Sequence, residues 1–212
     1  MNYSSSKQAA ENVVTTIADG GGKAIAVRGD VSKSADAQGF VDTAIENYGR
    51  LDIVVNNSGI YEFAPLAEIT EEAFHKSFNV NVLGPLLVTK AAVKHFVEGA
   101  SVINIGSTAP LIRSESTTVY TAMKAALDAV TGVLAKELGP KKVRINSVNP
   151  GFTITEGTTS YVGSDFAENL IAQVPLGRAA QPEEIASVVV FPASEDAQWV
   201  TGELINASGG LR

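Results

Sequence analysis

With 212 residues, 45% of them hydrophobic and 18% charged, the chain has the material for one domain with a buried core and is too apolar for a disordered segment. A formal net charge of −7 speaks against nucleic acid as a partner, and no apolar run approaches the ~20 residues of a membrane span. The absence of cysteine excludes disulfides and thiolate metal sites and suits a reducing cytoplasm.

Met1 to Lys7 lacks an apolar core behind a basic patch, so no secretory signal is expected. Ser6 to Ala18 reads as a helix with apolar points at Val13, Val14 and Ile17, stopped by Gly20-Gly21-Gly22. Lys23 to Val27 is a short strand leading into Gly29-Asp30-Val31, and Ala35 to Tyr48 is a helix stopped by Gly49. Leu51 to Val55 is an apolar strand ending in Asn56-Asn57-Ser58-Gly59. A long helical region follows from about Thr70 to Val97, interrupted at Gly84-Pro85. Ser101 to Ile105 is a strand ending at Gly106-Ser107, and Thr117 to Leu138 is a long helix closed by Gly139-Pro140. Val143 to Val148 is a strand that runs into Asn149-Pro150-Gly151. Beyond an irregular polar stretch from Phe152 to Asp165 lie a helix near Phe166 to Gln173, another opening at Pro182-Glu183-Glu184, and a last strand from Glu203 to Ala207. This alternation, with near-continuous apolar strands, predicts one α/β domain over residues 1–212 with a parallel sheet covered on both faces.

Ligands collect at the carboxyl ends of strands in such sheets. Here those ends carry Asp30-Val31, Asn56-Asn57-Ser58-Gly59, Gly106-Ser107 and Asn149-Pro150-Gly151. Each cluster alone is ordinary turn chemistry, but a shared cleft explains them together. Tyr120 and Lys124 open the helix after the strand bearing Ser107, and their four-residue spacing puts phenol and ammonium on one helix face. A lysine beside a tyrosine stabilises the phenolate and would bring a proton with an ordinary pKa of about 10 toward the range of catalytic exchange. The same spacing also suits plain packing of an amphipathic helix. His75 and His95 stand twenty residues apart without companion ligands, so no metal site is expected.

In their order, these motifs resemble those of the short-chain dehydrogenase/reductase family, in its single-domain, oxoacyl-carrier-protein-reductase or glucose-dehydrogenase-like form. The resemblance runs from Asn2 to the C-terminus. It rests on Asp30-Val31, Asn56 to Gly59, Asn81-Val82-Leu83-Gly84, Ser107 thirteen residues before Tyr120, Tyr120-x-x-x-Lys124 and Asn149-Pro150-Gly151. Pro175-Leu176-Gly177-Arg178, Pro182 to Ile185 and Thr201-Gly202-Glu203 continue it. The resemblance implies a Rossmann-like doubly wound sheet and hydride transfer between NAD(P) and a small carbonyl or secondary alcohol. It implies that Tyr120 is the acid/base, that Lys124 binds the nicotinamide ribose, that Ser107 holds the substrate oxygen, and that Asn81 sits at a helix irregularity beside a water. Asp30 and Val31 would meet the adenine, Asn57, Ser58 and Gly59 would pass its ribose, and Pro150, Gly151 and Thr153 would lie beside the carboxamide. Ser58 stands where the family usually has alanine. Thr155 to Asn169 resembles the family's mobile substrate lid, with Ile60, Tyr61, Leu111, Ile112 and Tyr161 shaping the substrate space. Tyr3-Ser4-Ser5-Ser6-Lys7 supplies hydroxyls and a base with no acid, which favours NADP over NAD. Family members assemble as tetramers or dimers.

The family's first strand, glycine-rich turn and first helix have no counterpart in this sequence, since Gly20-Gly21-Gly22 follows a helix. In the order 3-2-1-4-5-6 the missing strand is central, so either an unpaired gap or closure of the next strand on other partners is expected. The expectation is an incomplete sequence, from a late gene start or a fragment, rather than a genuine short form. The competing function is a non-catalytic scaffold or subunit with impaired cofactor binding. Pro192 is expected to end its helix early.

Overall fold

The computed structural model describes residues 1–211. Strand β1 (Asn2–Tyr3) leads into helix α1 (Lys7–Asp19), and β2 (Val27–Arg28) returns parallel beside it with Asn2 opposite Val27. Because β1 offers only two residues, the ladder is shorter than the Lys23 to Val27 strand read from the sequence. The Met1 carbonyl still accepts from the Val27 amide, and the terminal ammonium reaches the Ile25 carbonyl.

Helix α2 (Ser34–Tyr48) ends on Gly49, whose φ of 79° makes a left-handed cap that glycine adopts without strain. Strand β3 (Leu51–Asn56) follows, then α3 (Glu71–Phe78), a π-helical turn (Asn79–Leu83) and α4 (Gly84–Ala92). The helical region stops at Ala92, five residues short of the expected end at Val97. Phe96 and Val97 instead open β4 (Phe96–Ile105), where Phe96 pairs with Leu51. Their apolar side chains fit a strand as well as a helix, so periodicity could not separate the two. The remaining elements are α5 (Ala109–Ile112), α6 (Thr118–Leu138), β5 (Arg144–Pro150), α7 (Asp165–Ala172), α8 (Pro182–Ala193) and β6 (Leu204–Ala207). Helix α8 passes through Pro192 and ends one residue later.

Strands β3-β4-β5-β6 form a parallel four-stranded sheet. Val54, Val102 and Ile145 meet Val41 of α2, Ala91 and Ala92 of α4 and Leu138 of α6 in one buried cluster. Alternation turns the neighbours of Val102 to the opposite face, where the Ser101 hydroxyl donates to the Pro192 carbonyl of α8 at 2.7 Å. Coverage of that second face is incomplete. Ile53 and Val55 of β3 remain 45% exposed, while α8 packs mainly against β4 and β5.

Among the described residues no ladder joins β1–β2 to the four-stranded sheet. Of the two outcomes expected for the central strand, the structure has the gap. A cavity of about 160 Å³ lies there, walled by Met1, Val27, Phe40, Val55, Gly84 and Val88 among others. No helix among the described residues is long and apolar enough to cross a membrane.

Candidate active site

Tyr120 and Lys124 lie in the first turns of α6, with Lys124 buried against the end of β4. The Lys124 ammonium donates to the Ile105 carbonyl at 2.8 Å and sits 6.0 Å from the centre of the Tyr120 ring. Burial of this ammonium drags its pKa from 10.5 down to about 8, opposed by the negative charge of Asp128. Burial likewise raises the Tyr120 phenol, the Ser107 hydroxyl pulls it back, and Tyr61 adds to the rise. The phenol thus stands above its ordinary value rather than below it, with burial the largest cause and Lys124 not among the groups that move it.

Asp128 continues the same helix face one turn further, which the 120-124-128 spacing makes readable in retrospect. Its carboxylate accepts from Asn149 Nδ2 at 3.2 and 3.3 Å, and the Ser147 hydroxyl donates to Asn149 Oδ1 at 2.7 Å. Burial raises the Asp128 carboxyl, against the pull of Asn149, Ser147 and Lys124. Gly106 is required at the end of β4 because a Cβ there would collide with Asn149 Oδ1. Beneath the site Asn56 Nδ2 donates to Asn104 Oδ1 and Asn104 Nδ2 to Thr131, both at 2.9 Å, tying β3, β4 and α6 together.

Ser107 follows β4, and its hydroxyl accepts from the Ala109 amide at 3.1 Å as α5 begins. Asn81 lies buried in the π-helical turn, an irregularity of the expected kind. Its Nδ2 donates to the Ile60 carbonyl at 3.0 Å and to the Ser77 carbonyl at 2.9 Å, and its Oδ1 accepts from the Ile60 amide at 3.3 Å. Gly59 owes its identity to this neighbour, since a Cβ there would come within 2.8 Å of Asn81 Oδ1.

Asn81, Ser107, Tyr120 and Lys124 all line one cavity of about 790 Å³, within the range of small-molecule sites. Asn57, Gly59, Pro150, Gly151 and Thr153 line it too, whereas Val31 and Ser58 line the smaller cavity between the sheets. Val55 and Asn57 border both. Asp30 lines neither; its Oδ1 accepts from the amide and hydroxyl of Ser32, which hold its pKa low. The residues present fit the nicotinamide-ribose half of a dinucleotide. Lys124 has three N–H donors and one protein acceptor among the described residues, leaving donors on a buried cation beside the cavity.

Of the residues expected to shape the substrate space, Ile60, Tyr61, Ile112 and Tyr161 line the cavity, while Leu111 does not and is 49% exposed. Phe63, Phe152 and Phe166 also line it. No sequence signal marked Phe63 or Phe152, since lone aromatic residues in loops have no periodicity, while Phe166 falls in the Thr155 to Asn169 stretch and in α7.

A sequence family described as enoyl-(acyl carrier protein) reductase matches residues 2–212. An uncharacterised oxidoreductase of Methylorubrum extorquens is 54% identical over 214 residues, covering all of this chain and 86% of that protein. A blue fluorescent protein from a metagenomic library, solved in complex with NADPH, is similar with a TM-score of 0.92 at 32% identity, over 99% of this chain and 85% of that one. A short-chain dehydrogenase of Burkholderia cenocepacia, solved in complex with NADP, gives a TM-score of 0.93 at 29% identity, over 99% and 85%. An α/β fold with a parallel sheet, a largely apolar cleft with polar groups at the strand ends and this breadth of likeness define an oxidoreductase of the Rossmann type. The chain belongs to the short-chain dehydrogenase/reductase family.

Proposed function

We propose that the protein is an NADP-dependent carbonyl reductase or alcohol dehydrogenase working on a small-molecule substrate. One observation carries the reading: Asn81, Ser107, Tyr120 and Lys124, drawn from three separate elements, converge on a single cavity. When bound, the nicotinamide supplies or accepts the hydride. Tyr120 donates its phenolic proton to the carbonyl oxygen on reduction and takes it back on oxidation. The Ser107 hydroxyl holds that oxygen in reach of the phenol. Lys124 uses its free donors on the nicotinamide ribose, and its ammonium, the charged form below about pH 8, steadies the phenolate. Asn81 fixes Ile60 and the loop above it, and holds the proton path behind Lys124.

Asp30, Val31, Asn57, Ser58 and Gly59 face the adenosine half in this reading, and Pro150, Gly151 and Thr153 the carboxamide. NADP is favoured because Ser4, Ser5 and Ser6 are exposed between β1 and α1, beside Lys7. The solved relatives carrying NADP or NADPH support the same choice. In this reading the one domain works in the cytoplasm as a homo-oligomer, a tetramer or a dimer. Exposed Phe74, Leu83, Val133 and Leu204, the fully exposed Trp199, and outward-facing Ala122, Ala125 and Ala129 of α6 support assembly through these helices and β6.

The test is Tyr120→Phe. NADPH-dependent reduction of a ketone should fall by about 10²- to 10⁴-fold with cofactor affinity little changed. Unchanged turnover would remove Tyr120 from the mechanism.

A further inference from the structure

Four aromatic rings crowd the substrate side of the cavity around one hub. Phe63 stands edge-on to Tyr120, with centroids 5.4 Å apart and planes at 86°. It also meets Tyr161 at 5.9 Å, Phe166 at 6.0 Å and Tyr61 at 6.0 Å, in tilted geometries. These rings come from three separate segments: the loop after β3, the start of α6, and the stretch from Thr155 into α7. The segments are held against one another by the backbone. The Ala64 amide donates to the Ser116 carbonyl at 2.9 Å, fixing the Phe63 loop to the approach to α6. Gly157 lies so close over the Tyr61 hydroxyl that a Cβ there would collide with it.

A purely structural aromatic cluster would be closed off from solvent. Here Tyr61, Phe63, Tyr161 and Phe166 are only partly buried, and all four line the cavity next to the Tyr120 phenol. Ring faces and edges presented to an open cavity favour a planar π-system in offset or edge-to-face contact. Charge on the ligand is disfavoured. Among the described residues the lining includes no carboxylate, guanidinium or imidazole, and its one cation, Lys124, is anchored to Ile105 at the cofactor side. An anionic substrate buried beside these rings would lose its hydration without a dedicated partner.

We infer that the cavity selects neutral, planar aromatic ketones, or the matching alcohols in the reverse direction, with Phe63 as the wall that recognises the ring. This rests on the carbonyl-reduction reading above. The reaction adds a hydride from the reduced nicotinamide to the carbonyl carbon and a proton from Tyr120 to its oxygen, so ketone and NADPH plus a proton become alcohol and NADP.

Ligand-observed NMR on the 212-residue protein tests it, with and without NADPH, so that binding is read apart from turnover. The probes are 2-tetralone, its saturated counterpart 2-decalone, and the pair 4′-methylacetophenone and 4-acetylbenzoate. We expect 2-tetralone to bind about fivefold or more tightly than 2-decalone, and the neutral acetophenone to bind where the benzoate does not. Phe63→Leu, which keeps an apolar side chain but removes the ring, should abolish the tetralone preference, and Tyr161→Leu should reduce it. Equal affinity for 2-tetralone and 2-decalone, a preference surviving Phe63→Leu, equal binding of the benzoate, or no binding of any ketone would overturn the inference. Aromatic preference without turnover would leave this inference standing and count against the reductase reading. Turnover without aromatic preference would do the reverse.

Discussion

Replacing Lys124 by methionine tests the electrostatics of the site through the stability of the fold. Burial lowers the Lys124 pKa from the ordinary 10.5 to about 8. The sign follows from linkage. Below about pH 8 the ammonium is charged in both folded and unfolded chains, and the folded state carries the full burial cost. Between about 8 and 10.5 the unfolded chain holds the proton that the folded chain has released, so stability rises with pH. The rise spans roughly 3 kcal/mol over that window. Methionine matches the length of the lysine stem and has nothing to titrate, so this increment is absent from the variant. Other groups titrate alike in both proteins and cancel in the difference. Urea unfolding followed by far-ultraviolet circular dichroism, at pH values from 7 to 10.5, gives that difference directly. Wild type should gain about 3 kcal/mol relative to Lys124→Met across the series. A difference that stays flat with pH would refute the assignment of a lowered pKa to Lys124.

Asp128→Asn removes the one acid that favours the charged lysine, so the Lys124 pKa should drop further below about 8. Titration of its ε-methylene carbon by NMR reads this, and an unmoved midpoint would contradict it. Asn104→Ala removes two buried hydrogen bonds, leaving the Asn56 amide only Thr89 and the Thr131 hydroxyl only Leu127. A stability loss of about 1–3 kcal/mol is expected in urea unfolding; a loss below about 0.5 kcal/mol would show that the network bears no weight.

The alternation of strands and helices was legible from the sequence because each strand after the first two is a dense apolar run closed by Gly, Asn or Pro. Leu51 to Asn56 and Arg144 to Pro150 came out within two residues of expectation. Boundaries failed where two structures use the same residues. Phe96 and Val97 could face a core from helix or strand, and only pairing with Leu51 decides between them. Lys23 to Ala26 could not become strand because β1 has only two residues to pair with. That Asn81, Ser107, Tyr120 and Lys124 belong together was legible through their spacing and order, and they line one cavity. The direction of the Tyr120 and Lys124 pKa shifts was not, since burial, the largest cause of both, is a property of the assembled cavity. The aromatic hub was invisible for a related reason: Phe63 meets Tyr161 and Phe166 only after the loop following β3 folds against the stretch from Thr155 into α7.

The central claim is that this cavity holds a nicotinamide cofactor beside Tyr120 and Lys124, and titration with NADPH tests it most directly. On the 212-residue protein, following nicotinamide fluorescence, the account predicts a saturable change with a Kd on the order of 0.1–1 mM, weakened in Lys124→Met. No change at millimolar NADPH would contradict it.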